Sequence, residues 1–388
     1  MLSFEIVIFS RYRDGLLQFL RTFVYKRLSR LHCRGWLRFL NETMNGKIYK
    51  YLKLIGGKRL PAPVKLLGLW AMHMLGKRTI GVFIDPVMAC NLRCRMCYFS
   101  DPDKRAQMHG RMSDADLDRV EKALFHRALK LQIGCGAEPT LYPDLVDIVR
   151  RGRKAGVPYI SLTTNGQLIA TGKVSLMELV AAGLNELTLS LHGTDKETYE
   201  YLMPGADFEN LQKLIEIVRE VKKCYPSFAV RANFTVNSMN VDNLAGDRFW
   251  SLWGDGAGPD IVQLRPVQNL GKTEWTDFDH SSLKEKFSAT IGAVADECRR
   301  RSITCLAPTP EQIDAVNDTQ DAVSAIVEDL TYCYVSPGSC YKADFATSDS
   351  YESYHRRKHT ARGLFFAAFK RNKARQRHVS KKLNYSIK

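Results

Sequence analysis

The 388-residue chain lacks an apolar run long enough to cross a bilayer. Its longest such stretch, PVKLLGLWAMHML, is interrupted by Lys65 and His73 and falls short of the roughly 20 residues a span requires. The opening MLSFEIVIFSRYRDG carries Glu5 and too short an apolar stretch for a secretory signal, so a cytoplasmic, reducing setting is expected. No repeat of fixed period and no low-complexity tract is visible, which excludes solenoids and arrays. Acid is scarce at both ends. Residues 1–78 hold 16 Lys/Arg against 3 acids, and residues 355–388 hold 12 against none. Removing these +13 and +12 charges from the net +16 leaves −9 for the stretch between. A basic, mostly helical extension (1–78), an acidic body and a basic tail (355–388), disordered or held at a surface, are expected.

The chain has ten cysteines, and no second CxxC stands opposite Cys94 and Cys97. A body this long supports its core without disulfides, so clustered thiols point to metal or redox chemistry. Three of them fall within eight residues, CNLRCRMC, at Cys90, Cys94 and Cys97. A structural zinc would want a fourth ligand, with His109 or Cys135 as candidates, but such sites favour paired CxxC halves. Three thiolates without an evident fourth describe a centre with an open position.

The acidic body alternates strand-like and helical stretches. Strands are expected at 78–85, 129–134, 158–164, 186–192, 228–236 and 260–266. Ser113 with Asp116 three residues on marks a helix start, and Gly156 and Gly183 sit where helices end. The alternation predicts an α/β fold with a parallel sheet. Within the strands one face is apolar and the other polar: Thr188, Ser190 and His192 in the fourth, Arg231, Asn233, Thr235 and Asn237 in the fifth. Central strands of a doubly wound sheet are apolar on both faces, so a barrel with a polar lumen is favoured. The cysteine trio follows the first strand, GCGAEP (134–139) the second, TTNG (163–166) the third and LSLHG (189–193) the fourth. All four lie at the strands' C-terminal rim, where β/α barrels keep their chemistry.

With these residues in place, 79–270 resembles the radical S-adenosylmethionine (radical SAM) enzymes, whose hallmark is CxxxCxxC after the first strand of a partial (β/α)6 TIM-type barrel. The resemblance implies that Cys90, Cys94 and Cys97 bind three irons of a [4Fe–4S] cluster. S-adenosylmethionine takes the fourth iron and is cleaved to a 5′-deoxyadenosyl radical that abstracts hydrogen from a substrate. It implies a core barrel over 79–300. It further implies that Gly136, Ala137 and Glu138 of GAEP stand for the family's GGEP element at the methionyl amino group. Ala137 replaces a glycine there and demands an ordinary φ. Ser190 and His192 then face the ribose, Arg231 the cofactor carboxylate, Asn165 the cofactor or substrate, and Arg265 the adenine. Met96 would pack on the adenine and Tyr98 would shield the cluster.

The stretch DLTYCYVSPGSCYKADF, within 301–354, resembles the SPASM or twitch extensions of some relatives, in degenerate form. Cys298, Cys305, Cys333 and Cys340 are enough for a second iron–sulfur cluster, although no cysteine follows Cys340. The resemblance implies a reductant protein such as flavodoxin or ferredoxin, and a peptide, protein or sugar-precursor substrate. The competing readings are an RNA-modifying enzyme of the same family and a non-catalytic iron–sulfur or zinc protein. No nucleic-acid-binding module is visible, so no specific nucleic acid is expected. Aromatic residues among the cations at both ends, including Phe365, Phe366 and Phe369, point to an anionic membrane surface as a peripheral partner.

Overall fold

The computed structural model describes residues 61–254, 258–269, 272–277, 279–313, 322–369 and 386–387. Most of the expected N-terminal helical extension therefore lies outside the described residues. Its last part is the helix Ala62–Met74, entered through Pro61.

The six expected strands form where alternation placed them: β1 (Ile80–Ile84), β2 (Ala128–Ile133), β3 (Tyr159–Thr164), β4 (Glu186–Leu191), β5 (Ala229–Val236) and β6 (Ile261–Pro266). Each pairs in parallel with the next. Four more strands join the same sheet: β7 (Thr304–Ala307), β8 (Tyr332–Ser336), β9 (Ser339–Tyr341) and β10 (Ser386–Ile387). The order is β10-β7-β6-β5-β4-β3-β2-β1-β8-β9. β7 is parallel to β6 and β8 is parallel to β1, so eight parallel strands stand where six were expected. β9 and β10 close the edges antiparallel.

This changes the meaning of 301–354. Instead of standing apart, the segment supplies strands to both ends of the barrel sheet. The turn at Pro337 and Gly338, read as the approach to a ligand cysteine, joins β8 to β9, with Gly338 at φ 77°. The tail also differs from expectation. Residues 351–369 fold into the helices Tyr351–Arg357 and Thr360–Phe369. Phe365 packs on Trp70 of Ala62–Met74 with ring centroids 5.4 Å apart. The remainder, 370–385, lies outside the described residues.

The two faces of the sheet are chemically distinct. Ile80, Val82, Leu131, Ile133, Ile160, Leu162, Leu187, Leu189, Val230, Ala232, Val262 and Leu264 are buried outward in the main core. The helices that cover them begin and end on sequence signals. Ser113 and Asp116 form a reciprocal capping box at Asp114–Leu124, and Gly183 ends Leu176–Ala182 at φ 116°. The inward face is a hydrogen-bonded lumen. Gln132 donates to Thr163 at 2.6 Å and accepts from Ser161 at 2.7 Å. Glu186 accepts from Tyr159 (2.6 Å), Thr188 (3.0 Å) and Arg231 (2.6 Å), and Arg231 also donates to Gln263 at 2.8 Å.

Candidate active site

Leaving β1, the chain runs through Pro86 into the loop that carries Cys90, Cys94 and Cys97, then into helix Pro102–Gln107 capped by Asp101. Backbone bonds from Arg93 to Pro204 (2.9 Å) and from Arg95 to Leu202 (3.1 Å) tie this loop to the end of helix Lys196–Leu202. Arg93 donates to the carbonyls of Cys90 and Leu92, both at 2.7 Å. The three thiols are half-buried and near enough to influence one another electrostatically. Burial pushes Cys90 up to about 12 and raises Cys94 and Cys97 as well. Without a metal they are neutral thiols; as ligands they must lose their protons. Among the described residues no three His, Cys, Asp or Glu side chains stand close enough to share one metal ion. A four-iron cluster has no such need, since each thiolate holds a separate iron.

Beside this loop lies the turn after β2. Gly134 adopts φ 81°, and a Cβ there would meet the Thr163 carbonyl at 2.5 Å. Gly136 has no room for a side chain because the Tyr98 hydroxyl would stand 2.3 Å from its Cβ. That hydroxyl donates to the Gly136 carbonyl at 2.6 Å. Tyr98 is thus a prop for the GAEP turn. Ala137 is absent from the residues with positive φ, as its side chain requires.

Glu138 is buried and serves the protein itself. Oε1 accepts from the Thr140 amide (3.1 Å), the Thr140 hydroxyl (2.6 Å) and the Thr164 hydroxyl (2.6 Å); Oε2 accepts from the Asn165 amide at 2.8 Å. Burial raises its pKa while these donors lower it. Asn165 in turn donates to Asn91 at 2.8 Å, between the first two cysteines. The ends of β2 and β3 and the cysteine loop are therefore linked through Glu138 and Asn165.

The other expected residues distribute along the lumen. Ser190 is half-buried at the upper end of β4. His192 just beyond accepts from the Thr235 amide at 3.3 Å, and burial followed by the Arg265 charge lowers its pKa to about 4. It is a neutral imidazole. Arg265 is exposed at the end of β6. Met96 is buried with Leu202 and Val267, against Trp275. Arg231 lies lower, held by Glu186 of the neighbouring strand β4 and by Gln263 of β6.

The four C-terminal cysteines do not come together as one group. Cys298 and Cys305 pair between helix Ile291–Arg300 and β7. Cys333 and Cys340 lie on β8 and β9 at the other end of the sheet order. One four-thiol site is not formed, because the two pairs belong to opposite edges.

Sequence reasoning overlooked Asp85, Tyr334 and Lys130. Asp85 directly follows β1 and is buried; Tyr334 on β8 donates to it at 2.8 Å. Lys130 reaches from β2 into the lumen over the Tyr159 ring, and burial lowers its pKa. An acid closing an apolar strand before proline was the available signal for Asp85. Tyr334 had none until β8 took its place beside β1.

The family model described as Radical SAM superfamily matches residues 84–230, from the end of β1 into β5. The probable GTP 3′,8-cyclase of Sulfurisphaera tokodaii is 27% identical over 213 residues, covering 55% of this chain and 64% of that protein. The probable GTP 3′,8-cyclase of Metallosphaera sedula is 30% identical over 216 residues, covering 55% and 63%. The chain thus spans a little under two thirds of the length of these curated relatives. The crystal structure of Streptococcus suis SuiB superposes with a TM-score of 0.53 at 17% identity, covering 80% of this chain and 71% of that one. That likeness is one of fold.

Proposed function

We propose that this chain, whose residues 84–230 match the radical SAM superfamily model, is a radical SAM enzyme that cleaves S-adenosylmethionine reductively and abstracts hydrogen from a substrate in the barrel. The observation that carries this reading is the single loop with Cys90, Cys94 and Cys97 beside the GAEP turn at the strands' C-terminal rim. The donor set fits: thiolates are the ligands iron–sulfur clusters take, and three of them leave one iron for the cofactor. Bound there, the cluster would supply the electron and S-adenosylmethionine the hydrogen-abstracting chemistry.

The chain's own residues position and exclude. Cys90, Cys94 and Cys97 would hold the cluster, and the 136–138 turn would receive the amino group. Glu138 acts mainly by fixing that turn to Thr164 and Asn165. Ser190 and neutral His192 would face the ribose, and Arg265 the adenine. Arg231 balances Glu186 below the cofactor, which leaves less of its guanidinium for a carboxylate clamp. A low-potential reductant protein such as flavodoxin or ferredoxin would deliver electrons. Anaerobic reconstitution followed by chromatographic assay for 5′-deoxyadenosine tests the reading; zinc at the trio with no iron uptake would refute it.

For the substrate, peptide, protein and sugar precursors remain candidates, and the identity to proteins named GTP 3′,8-cyclase adds GTP. Stimulation of 5′-deoxyadenosine release by GTP, compared with peptide or sugar-nucleotide mixtures, separates them. Phe366 and Phe369, exposed beside Arg362, support contact with an anionic membrane surface. Salt-sensitive sedimentation with anionic vesicles, lost in a Phe366→Ser/Phe369→Ser variant, would bear this out. Equal sedimentation of both would discard it.

A further inference from the structure

Three consecutive backbone amides converge on one buried carboxylate. Asp85 Oδ1 accepts from the Cys135 amide at 2.7 Å and the Ala137 amide at 3.4 Å, and Oδ2 accepts from the Gly136 amide at 3.0 Å. The Tyr334 hydroxyl completes the set at 2.8 Å. Successive amides that wrap one anion form a nest, and here the anion is the protein's own side chain. In a trans peptide the carbonyl points opposite to the amide that follows it. Turning the amides of 135, 136 and 137 toward Asp85 therefore turns the carbonyls of 134, 135 and 136 away from it. Tyr98 holds the last of these, that of Gly136.

An ammonium group offers only donors and needs acceptors. With amides outward the same turn would suit an anion; with carbonyls outward it suits a cation. Asp85 selects the second state, and it is anchored from two strands, by its own place directly after β1 and by Tyr334 on β8. Burial works against the charge on Asp85 and raises its pKa, and the four donors offset this only in part.

We propose that Asp85 and Tyr334 are positioning residues that fix the 134–137 turn in its carbonyl-outward state and thereby set the affinity for the amino group of S-adenosylmethionine. This rests on the radical SAM reading. It makes β8, which lies outside the matched span of 84–230, part of the cofactor site.

The test uses the full chain with its cluster reconstituted, comparing wild type, Asp85→Asn and Tyr334→Phe. Two probes are titrated by equilibrium dialysis: S-adenosylmethionine, and 5′-methylthioadenosine, which keeps the nucleoside but lacks the amino acid. Losing charge-assisted bonds should weaken S-adenosylmethionine binding about tenfold or more in Asp85→Asn, and about threefold in Tyr334→Phe. Affinity for 5′-methylthioadenosine should stay within about twofold, because nothing at the ribose has moved. Hydrogen exchange of the 135–137 amides, followed without cluster or cofactor, should quicken in both variants. Equal weakening of both probes would reduce Asp85 to a general structural role and overturn the proposal. Unchanged S-adenosylmethionine binding in the variants would do the same. A wild-type protein that binds its cluster but not S-adenosylmethionine would instead bring down the radical SAM reading.

Discussion

Glu186 has no exposed surface and accepts from Tyr159, Thr188 and Arg231. Removing one partner of a buried ion pair leaves the other charge without compensation, at a cost of about 3–5 kcal/mol. Glu186→Gln should lose stability of that order in urea unfolding. Removing Arg231 in the same chain should recover part of it. A loss below about 1 kcal/mol would show that water in the lumen screens the pair. The inward direction of Arg231 was legible, because alternation along FAVRANFTV places it. Its partner was not, because pairing depends on the register that sets Thr188 opposite Arg231. The cysteine trio was legible because all three ligands fall in one short segment. Replacing Cys90, Cys94 or Cys97 by Ala should each abolish the reduced cluster's paramagnetic signal, since each removes one of only three protein ligands. A signal that survives in any one of them would remove that residue from the ligand set. Glu138 taught the opposite lesson: its identity suggested a ligand, while its four protein donors show a carboxylate occupied with its own turn.

At the scale of elements, strands with five or more alternating residues announced themselves, and β7, with only TCLA, did not. β8 does alternate, with Cys333 and Val335 buried and Tyr332 and Tyr334 facing the lumen. Its period is masked in the sequence by Cys333 and the Pro337–Gly338 turn before Cys340, which together resemble a ligand turn. The turn after β2 allows a graded test. At Gly134 an added Cβ meets the Thr163 backbone carbonyl at 2.5 Å, under a φ of 81° that L side chains rarely adopt. At Gly136 it meets the Tyr98 hydroxyl, the end of a side chain, at 2.3 Å. Backbone cannot swing aside, so Gly134→Ala should cost more, about 1–3 kcal/mol for the forced conformation alone. Gly136→Ala should leave stability closer to wild type and release Tyr98. Adding Tyr98→Phe to Gly136→Ala should relieve the clash, because without the hydroxyl the ring carbon Cζ stands 3.6 Å from the new Cβ, an ordinary contact. Thermal unfolding of the apo chain ranks the variants, and a larger loss for Gly136→Ala would contradict the order.

Across the whole molecule, two buried imidazoles at opposite ends of the barrel tie stability to pH. His192 stands at the mouth, and burial with the Arg265 charge brings it to about 4. His355, on helix Tyr351–Arg357, is bonded to the Tyr341 hydroxyl of β9 at 2.9 Å and to the Thr360 hydroxyl of the next helix at 3.0 Å. Burial first, then the His73, Arg127 and Lys342 charges, brings it to about 3. Both folded values lie below the ordinary 6.5, so between them and 6.5 the unfolded chain holds more protons. Their contribution to stability is fully present above about 6.5. It is lost as pH falls, down to about 4 for His192 and about 3 for His355, at up to about 1.4 kcal/mol per pH unit for each group. The raised carboxylates Asp85 and Glu138 act in the opposite sense, gaining protons in the folded state as pH falls. The wild-type slope is therefore a difference, and the variant isolates one part of it. His355→Gln keeps hydrogen-bonding capacity toward Tyr341 and Thr360 but cannot take up a proton. Urea midpoints measured from pH 7.5 to 4.5 should fall less steeply in His355→Gln than in wild type, with the two curves converging at the acid end. Parallel curves would mean that His355 does not titrate on unfolding in this range, and that the acid sensitivity of the barrel resides elsewhere.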